Sequence, residues 1–558
     1  MSPPLATPPA RSVLRHVRDL LRPHRARLGV LAVAVVLGAL ATTAAPLLVR
    51  SAVDGALAGR EAAVPRAALG IAALALLAGA ATAVRLRLWG AVAEGVLAEL
   101  RGRCLRRVLA LSPPQLSRTG RGDVLARTTG DVEVLGEAAR LSLPVLVRGL
   151  TVLVLAAAVL LGVSAPLAGV AVLGLVGGGL SARRLLRRTT VLYPRYRASS
   201  GAALSVLRET LVGVRVVQGH GREAERAAAY GAANLEVVER YADGTRARNG
   251  FFPVVIALQS ATALAVLAVG AAMASAGAAS VGTVSAAVLA TVALYSPVTQ
   301  LTEVLDQLQT ARAALGRVVA LLDLSPSLEV PDDPRPLPDD GTLAVDGVRF
   351  GYRPGQLVLD GVDLVVSPGE VVALVGESGA GKSTLAALAA RWADPDAGRV
   401  TLGGTDLRDL APEQLRRAVV VVPQDGHLVR GSVADNVRLA RPEASDAEVL
   451  GALARLGLRA WAERLPHGVR TPVGHGGGAL SAGERQLVAL ARVALADPQV
   501  VVLDEATSVL DPDTAALVDT ALHRALQGRA VLLVAHRPDS VQRADRVVRL
   551  DRGRVRAP

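Results

Sequence analysis

The 558-residue chain has few aromatic residues, one cysteine and one lysine. With Cys104 alone, the chain has no internal disulfide and no metal site made only of cysteines. Aromatic residues make up 2% of the sequence, and no run of them is interleaved with basic residues as a stacking platform for nucleic acid would require. These shortages argue against a disulfide framework, a cysteine-only metal centre and nucleic acid as a partner.

Apolar residues are abundant and unevenly distributed. They make up 51% of the chain, and most of the excess lies before residue 300. This content exceeds that of ordinary soluble proteins, so the sequence predicts a membrane half followed by a soluble half. The net charge of +13 comes from arginines beside the apolar runs, where basic residues flank membrane spans.

Six apolar runs are long enough to cross a bilayer as helices. They are residues 28–49, 67–84, 145–164, 165–181, 254–272 and 281–297. A basic start and small residues at the end of the first run also fit a cleaved signal peptide. That run is long for a signal peptide, however, and further spans follow it.

Arginine is concentrated on one side of this topology. It is frequent before the first run and in the connections after the second and fourth runs, whereas the other connections are short and carry no basic excess. The positive-inside rule therefore predicts a multi-pass protein of the cytoplasmic (inner) membrane with its N-terminus in the cytoplasm. The two long connections favour helix, which predicts two intracellular hairpins.

The predicted fold is a membrane all-α six-helix bundle followed by an α/β P-loop NTPase cassette domain. After residue 342, short Val/Leu strands alternate with helical segments, as in a parallel sheet flanked by helices. The predicted domains are an N-terminal tail (1–24), a six-span domain (25–318), a linker rich in Pro and Asp (319–341) and the cassette (342–558).

A glycine-rich segment follows the apolar run 371–375 and precedes a helical run, which is the context a P-loop requires. Backbone N–H groups of such a loop surround phosphate oxygens, while Lys382 places a point charge on the β- and γ-phosphates and Ser383 offers an oxygen to Mg²⁺. A planar guanidinium fits this role poorly, so the only lysine of the chain stands where one is needed. The nucleotide-binding residues predicted here are Gly376, Ser378, Gly379, Gly381, Lys382, Ser383 and Thr384.

Two acidic residues end the apolar run 500–503. Asp504 is predicted to hold Mg²⁺, and Glu505 to orient or deprotonate the attacking water. A strand with this ending is common, and the pair indicates an ATPase because a P-loop precedes it.

Further motifs stand in an order that resembles the ATP-binding cassette (ABC) transporter family. They are Gln424, the segment 480–486, the segment 508–511 and His536. The resemblance implies that Gln424 is a Mg²⁺ ligand in the Q-loop, that Ser481 and Gly483 contact a γ-phosphate, and that Asp511 belongs to the D-loop. It also implies that His536, with Glu505 and Lys382, is catalytic. Tyr352 resembles the aromatic residue that stacks on adenine.

Three residues depart from the family pattern. Ala482 stands for a glycine and Glu484 for a glutamine in the signature segment, and His475 replaces a glutamate in the preceding X-loop. Alanine costs little unless the backbone needs a positive φ, and glutamate keeps the length of glutamine, so tuned activity is expected. A degenerate ATP site is the alternative.

The membrane half resembles ABC exporters, so the resemblance covers nearly the whole chain. Residues 118–127 with 131–132 match the first coupling region, and residues 209–217 the second. Such cassettes work in pairs with ATP and Mg²⁺, which implies a homodimer or heterodimer with a second half-transporter in membrane lipid.

The cargo cannot be read from the spans, because polar residues such as Thr42, Gln259, Thr262 and Gln300 also serve helix packing. Lipid, peptide and drug export all fit. An exporter-fold importer, for example of siderophores, and a non-transporting ATPase regulator are alternatives, whereas six spans exclude a soluble motor.

Overall fold

The computed structural model describes residues 8–353, 355–423, 426–504, 512–535 and 541–556. The chain divides into two compact units. One lies within residues 3–108 and 121–324, and the other within residues 109–120 and 325–558. Residues 109–120, which interrupt the first unit in sequence, thus belong to the second.

The N-terminal part is helical throughout. Its helices are α1 (Ala10–Leu21), α2 (Arg25–Leu57), α3 (Ala63–Ala110), α4 (Pro113–Thr119), α5 (Arg121–Ala126), α6 (Val132–Glu137), α7 (Leu143–Val163), α8 (Ala165–Val212), α9 (Val214–Gly219), α10 (Glu223–Ser275) and α11 (Val281–Leu322). Two π-helical segments, Arg127–Asp131 and Ala138–Ser142, lie on either side of α6.

Six helices in the described residues are long and apolar enough to cross a membrane, which confirms the predicted bundle. The six predicted runs fall on α2, α3, α7, α8, α10 and α11 to within one residue. Helices α3 and α8 contain 48 residues each and α10 contains 53. At a rise of 1.5 Å per residue these helices reach about 70–80 Å, well beyond a hydrocarbon core of about 30 Å.

Small residues allow the spans to approach closely. A Cβ atom on Gly174 of α8 would lie 2.1 Å from Thr262 Oγ1 and 2.7 Å from the Tyr295 hydroxyl. Those two oxygens are buried and hydrogen-bonded to each other at 2.8 Å, joining α10 to α11. Thr262 therefore serves helix packing, and Thr42 hydrogen-bonds to carbonyls of its own helix.

The C-terminal unit contains ten strands and seven helices in its described residues after 325. The strands are β1 (Leu343–Phe350), β2 (Leu359–Val366), β3 (Val371–Val375), β4 (Ala397–Leu402), β5 (Thr405–Asp406), β6 (Val419–Val422), β7 (Val500–Asp504), β8 (Ala530–Val534), β9 (Arg546–Asp551) and β10 (Arg554–Arg556). The helices are α12 (Lys382–Ala389), α13 (Pro412–Ala418), α14 (Val433–Val437), α15 (Asp446–Arg455), α16 (Arg459–Arg464), α17 (Ala482–Ala496) and α18 (Pro512–Leu526).

The strands form two sheets. An antiparallel sheet has the order β2-β1-β4-β5, and a six-stranded sheet has the order β10-β9-β3-β8-β7-β6. In the larger sheet β9, β3, β8, β7 and β6 run parallel, which confirms the predicted α/β domain. Strands with helices on both faces are apolar at nearly every position, as the sequences of β3, β7 and β8 are.

Two apolar cores lie on opposite faces of the six-stranded sheet, because side chains alternate along each strand. In β3, Ala373 points into a core shared with α17, whereas Val372 and Leu374 point into a core shared with α12. The second core also contains Leu343 and Val345 of β1, so α12 is enclosed between the two sheets.

Candidate nucleotide site

The loop between β3 and α12 is built on glycine. A Cβ atom on Gly376 would lie 2.2 Å from the carbonyl oxygen of Leu550. Gly381 has a φ of +105°, and a Cβ atom there would lie 2.8 Å from Leu359 Cδ2. The loop therefore needs glycine at both positions to turn tightly and keep its backbone N–H groups accessible.

Lys382 places its ammonium group inside this loop. The residue is 4% exposed, and Nζ donates hydrogen bonds to the carbonyl oxygens of Gly376 at 2.7 Å and Glu377 at 3.0 Å. An ammonium group has three donors, so these bonds leave one for a phosphate oxygen. A glycine-rich turn, a buried cation and the N-terminus of α12 together fit the phosphates of a nucleotide.

The first residues of α12 present hydroxyl groups next to the lysine. Ser383 is exposed, while Thr384 is buried with its Oγ1 atom 3.2 Å from the Tyr352 hydroxyl. Among the described residues, no group of three or more His, Cys, Asp or Glu side chains could hold a metal ion. Mg²⁺ in nucleotide sites commonly takes one or two protein oxygens and completes its shell with phosphate oxygens and water. Ser383 and Asp504 are the described residues that would supply such protein ligands.

Asp504 ends β7 at the same edge of the sheet as the P-loop. Asp504 pairs with Val534 of β8, and Val534 pairs with Leu374 of β3. With about 4.8 Å between neighbouring strands, the Cα atoms of Asp504 and Leu374 are separated by roughly 10 Å. The register thus brings the carboxylate and the phosphate loop to one edge.

The predicted site residues Gln424, Glu505, Asp511 and His536 lie outside the described residues.

Tyr352 follows β1 and contacts three groups. Its hydroxyl lies beside Thr384, its ring meets the Phe350 ring at 85° with 5.1 Å between centroids, and the Arg118 guanidinium carbon lies 5.2 Å from its ring centroid. The contact with Thr384 connects the predicted adenine-stacking residue to the P-loop helix. The contact with Arg118 was not predicted from the sequence.

The signature segment caps α17. Ser481 Oγ accepts from the Glu484 backbone N–H at 3.2 Å, and a Glu484 carboxylate oxygen accepts from the Ser481 backbone N–H at 2.8 Å. Because Ser481 Oγ accepts from the helix, its own hydrogen remains available to a phosphate oxygen. The other carboxylate oxygen of Glu484 accepts from Trp461 Nε1 at 3.2 Å.

The structure accommodates both departures in this segment. Ala482 is the first residue of α17 with a helical backbone, so alanine is not strained there. Glu484 completes a capping box that the S-x-x-E spacing could have predicted. His475 lies in a short 3₁₀ turn, His475–Gly477.

The sequence also left unpredicted a network of hydrogen bonds around the half-buried Arg492, behind the signature segment. Arg492 of α17 donates to the carbonyl oxygens of Asn436 at 2.8 Å and His427 at 3.2 Å, and burial lowers its pKa. Asn436, fully buried, donates in turn to the Val429 carbonyl oxygen. This network fixes the signature helix to the segment 427–436, three residues beyond Gln424. The available signal was the position of Arg492 within the otherwise apolar run 487–496 of α17.

Both halves of the chain resemble known proteins. The family model of the ABC transporter transmembrane region matches residues 28–298, and the ABC transporter model matches residues 359–508. An ATP-dependent lipid A-core flippase of Thiobacillus denitrificans is 31% identical over 99% of this chain and 96% of its own.

The chain belongs to the ABC transporter family. Membership accounts for the presence of a transmembrane region and an ATP-binding cassette in one chain. The family membership predicted from the sequence is thereby confirmed.

Two further similar proteins are an efflux protein and an exporter by name. A multidrug efflux ATP-binding/permease protein of Mycobacterium bovis is 32% identical over 97% of the chain, which spans 45% of the length of that relative. The solved structure of a bacterial Atm1-family ABC exporter with ATP bound superimposes with a TM-score of 0.79 at 25% identity, covering 96% of this chain and 94% of that one.

Proposed function

We propose that this ABC transporter is half of an ATP-driven exporter, in which two cassettes share two ATP molecules. The observation that carries the proposal is the position of its two phosphate-contacting motifs. The P-loop helix α12 packs on one face of the six-stranded sheet and the signature helix α17 on the other. A γ-phosphate held by Lys382 would therefore be met by Ser481 of a second cassette.

The exposed surface of α9 supports the same pairing. In the described residues, Val212, Val214 and Val216 around the second coupling region are 82%, 38% and 64% exposed. Such an apolar tip on a cytoplasmic hairpin is costly in water, at about 25 cal/mol per Å² of apolar surface. A second cassette is the partner that would cover it, as a homodimer or a heterodimer.

The proposed roles in hydrolysis follow the predicted residues. Tyr352 stacks on adenine, and the loop residues Gly376, Ser378, Gly379 and Gly381 with Lys382 and Thr384 hold the phosphates. Ser383, Gln424 and Asp504 supply protein ligands to Mg²⁺. Glu505 orients or deprotonates the attacking water, His536 contacts the γ-phosphate, and Ser481, Gly483 and Asp511 complete the partner's site.

The proposed location is the cytoplasmic membrane, with the N-terminus and the cassette in the cytoplasm. The arginine bias of the hairpins supports this orientation. The proposed cargo is a lipid, a drug or a peptide. Similar proteins include a multidrug efflux protein, a fatty acid transporter and a lipid A-core flippase, and their cargoes favour amphipathic molecules over small ions.

The test is Mg²⁺-dependent ATP hydrolysis by the purified chain in lipid, combined with substrate accumulation in inside-out vesicles. Glu505→Gln is expected to lower kcat at least 100-fold while ATP still binds, because removal of a general base costs about 10²–10⁴-fold. Glu443→Gln, which neutralises an exposed carboxylate elsewhere in the cassette, is the matched control and keeps full activity.

Substrate movement separates the candidate functions. Accumulation inside inverted vesicles supports export, whereas ATP-driven movement in the opposite direction would establish an importer. Hydrolysis that no lipid, drug or peptide stimulates, without any flux, would establish a regulator. Absence of hydrolysis in the wild type contradicts a self-sufficient homodimeric ATPase and points either to a missing partner chain or to an ATP site that the altered signature has disabled.

A further inference from the structure

Arg118 lies on a helix that is fixed by other contacts to the linker before the cassette. Gln115 of α4 donates to the Ser325 carbonyl oxygen at 3.0 Å and accepts from the Ser327 backbone N–H at 3.2 Å. The Ser112 and Ser327 hydroxyl oxygens are 3.1 Å apart. Helix α4 also belongs to the C-terminal unit by its contacts. The position of Arg118 is therefore set by the helix and not by the ring it touches.

The Tyr352 ring is held at two points. Its hydroxyl lies 3.2 Å from Thr384 Oγ1 on the P-loop helix, and the guanidinium of Arg118 lies 5.2 Å from its centroid. A cation within about 6 Å of a ring centroid is attracted to the π face. A ring fixed at its hydroxyl and at one face loses little further freedom when a base stacks on it.

Space for a base adjoins this ring. A cavity of about 590 Å³ is lined by Tyr352, Arg118 and Gln115, and by Asp394 and Asp396 from the segment after α12. Cavities that bind small molecules commonly have volumes of about 300–1,000 Å³. Arg118 is an exposed residue at the wall of this cavity.

From these contacts we propose that Arg118 is a positioning residue for adenine: its guanidinium holds the Tyr352 ring in the orientation that stacks on the base of ATP. The inference rests on the proposed nucleotide site and adds a residue from the tip of the first membrane hairpin to it. Stacking of adenine on a ring held in this orientation raises the affinity of the protein for ATP. The affinity of the P-loop for phosphates does not change.

The test compares two ligands that differ in the base. Equilibrium displacement of a ribose-labelled fluorescent ATP is measured with ATP and with inorganic tripolyphosphate, without Mg²⁺, on the full chain in lipid. Arg118→Ala is expected to weaken ATP binding about 2- to 5-fold, the equivalent of an exposed cation–π contact, and to leave tripolyphosphate binding unchanged. Arg118→Lys, which keeps a cation, is expected to restore part of the affinity for ATP.

The controls separate this role from charge and folding. Arg335→Ala removes another exposed arginine of the same unit, paired with Asp409, and is expected to change neither affinity. In a Tyr352→Ala background, Arg118→Ala is expected to have no further effect, because the two residues act as one unit.

Three results would overturn the proposal. The first is tighter ATP binding by Arg118→Ala, which would mean that the arginine competes with the base. The second is an equal loss of affinity for ATP and for tripolyphosphate. The third is additivity of the effects of Arg118→Ala and Tyr352→Ala on the affinity for ATP. Wild-type protein that binds neither ligand would contradict the nucleotide site itself, which distinguishes failure of the proposed function from failure of this inference.

Discussion

Lys382 is buried although an ammonium group is strongly hydrated in water. The carbonyl oxygens of Gly376 and Glu377 replace part of that water at 2.7 and 3.0 Å. The two carbonyl oxygens lie in different directions from the Lys382 nitrogen. An ammonium group donates hydrogen bonds in three directions from one atom, whereas the donors of a guanidinium group lie in one plane on separate atoms. This explains why one lysine stands in a chain otherwise rich in arginine.

Lys382→Arg is expected to lower kcat/KM for ATP roughly 10- to 100-fold. The reason is the loss of charge-assisted hydrogen bonds, each worth about 1.5–3 kcal/mol, because arginine keeps the charge and not the geometry. ATP hydrolysis and nucleotide affinity measure the effect. Arg335→Lys, the reverse exchange on the surface of the same unit, is the matched control. Equal activity of wild type and Lys382→Arg would show that charge alone suffices.

Glu484 shows how one departure from a family pattern acquires a structural role. Its two carboxylate oxygens accept from different donors, the Ser481 backbone N–H and Trp461 Nε1. An amide has one oxygen and an NH₂ group, so glutamine would satisfy only one of these donors.

Glu484→Gln is expected to destabilise the cassette by about 1 kcal/mol, the net worth of one hydrogen bond. Trp461→Phe, which removes the indole donor, is expected to make the glutamine exchange nearly neutral. The midpoint of the cassette's thermal unfolding, followed by circular dichroism on the full chain, measures both single variants and the double variant. Additive effects would refute the Glu484–Trp461 hydrogen bond.

At the scale of elements, three helices of the cassette begin with the same hydrogen-bonding motif, a capping box. Helices α14, α15 and α17 each start with a serine whose hydroxyl accepts from a backbone N–H, while an acidic side chain three residues later accepts from the serine N–H. Such boxes satisfy backbone donors that the first turn leaves unpaired, and removal of one typically costs about 1 kcal/mol.

Carboxylates in these elements have lowered pKa values. Hydrogen bonds from Arg470 and Arg438 lower the pKa of Asp446, and the backbone N–H of Ser445 lowers the pKa of Glu448. The backbone N–H of Ser432 does the same for Asp435. A carboxylate with a lowered folded pKa binds protons less tightly than in the unfolded chain, so its contribution to stability is present at neutral pH.

The pH dependence follows from this sign. The contribution of Asp446 to the free energy of unfolding is expected to be complete above about pH 5. It is expected to disappear as the pH falls below about 3.9, the ordinary pKa of aspartate, and through the lower pKa of the folded state. Asp446→Asn should therefore lower the unfolding midpoint at pH 7 and have little effect near pH 3. Unfolding of both proteins across this range checks the expectation, and a pH-independent difference would contradict it.

In the membrane unit, the two π-helical segments lie where polar groups cross between helices. Asp131, at the end of the first segment, binds Arg317 of α11 through two hydrogen bonds of 2.6 and 2.8 Å. Ser142, at the end of the second, donates to Gln307 at 2.6 Å. A π turn adds one residue to a helix and rotates the following side chains, which places these groups towards α11.

At the scale of the whole molecule, the cassette has the P-loop helix α12 and the signature helix α17 on different faces of one sheet. Ser378 of the P-loop and Ser481 of the signature segment are both exposed. In the proposed dimer, the P-loop of one cassette would meet the signature segment of the other if the two cassettes face each other in opposite directions, which is an isologous arrangement.

This arrangement predicts a specific cross-link. Ser378→Cys with Ser481→Cys, in a Cys104→Ala background, is expected to form a disulfide between two chains when ATP and an added mild oxidant are present, giving a covalent dimer on a non-reducing gel. The matched pair Ser378→Cys with Glu443→Cys is expected to remain monomeric. A disulfide within one chain, without a change in mass, would refute the proposed sharing of ATP.

Much of this architecture was readable from the sequence. Long apolar runs predicted the six spans, and the glycine-rich loop between an apolar run and a helical run predicted the P-loop, because each pattern depends on neighbours within about 20 residues. The confirmed α/β cassette followed from the alternation of Val/Leu strands with helical segments. The capping box at Glu484 was equally local, although only the structure drew attention to it.

Contacts between distant segments were decided by the tertiary structure. Arg118 and Tyr352 are separated by more than 200 residues, as are Gln115 and Ser325, and nothing in either local sequence specifies the other. Sequence determined the elements and the chemistry of the phosphate loop, since local backbone preferences and periodicity encode both. The fold decided which side chains meet, because packing depends on the order of strands in the sheet and on which face each helix covers.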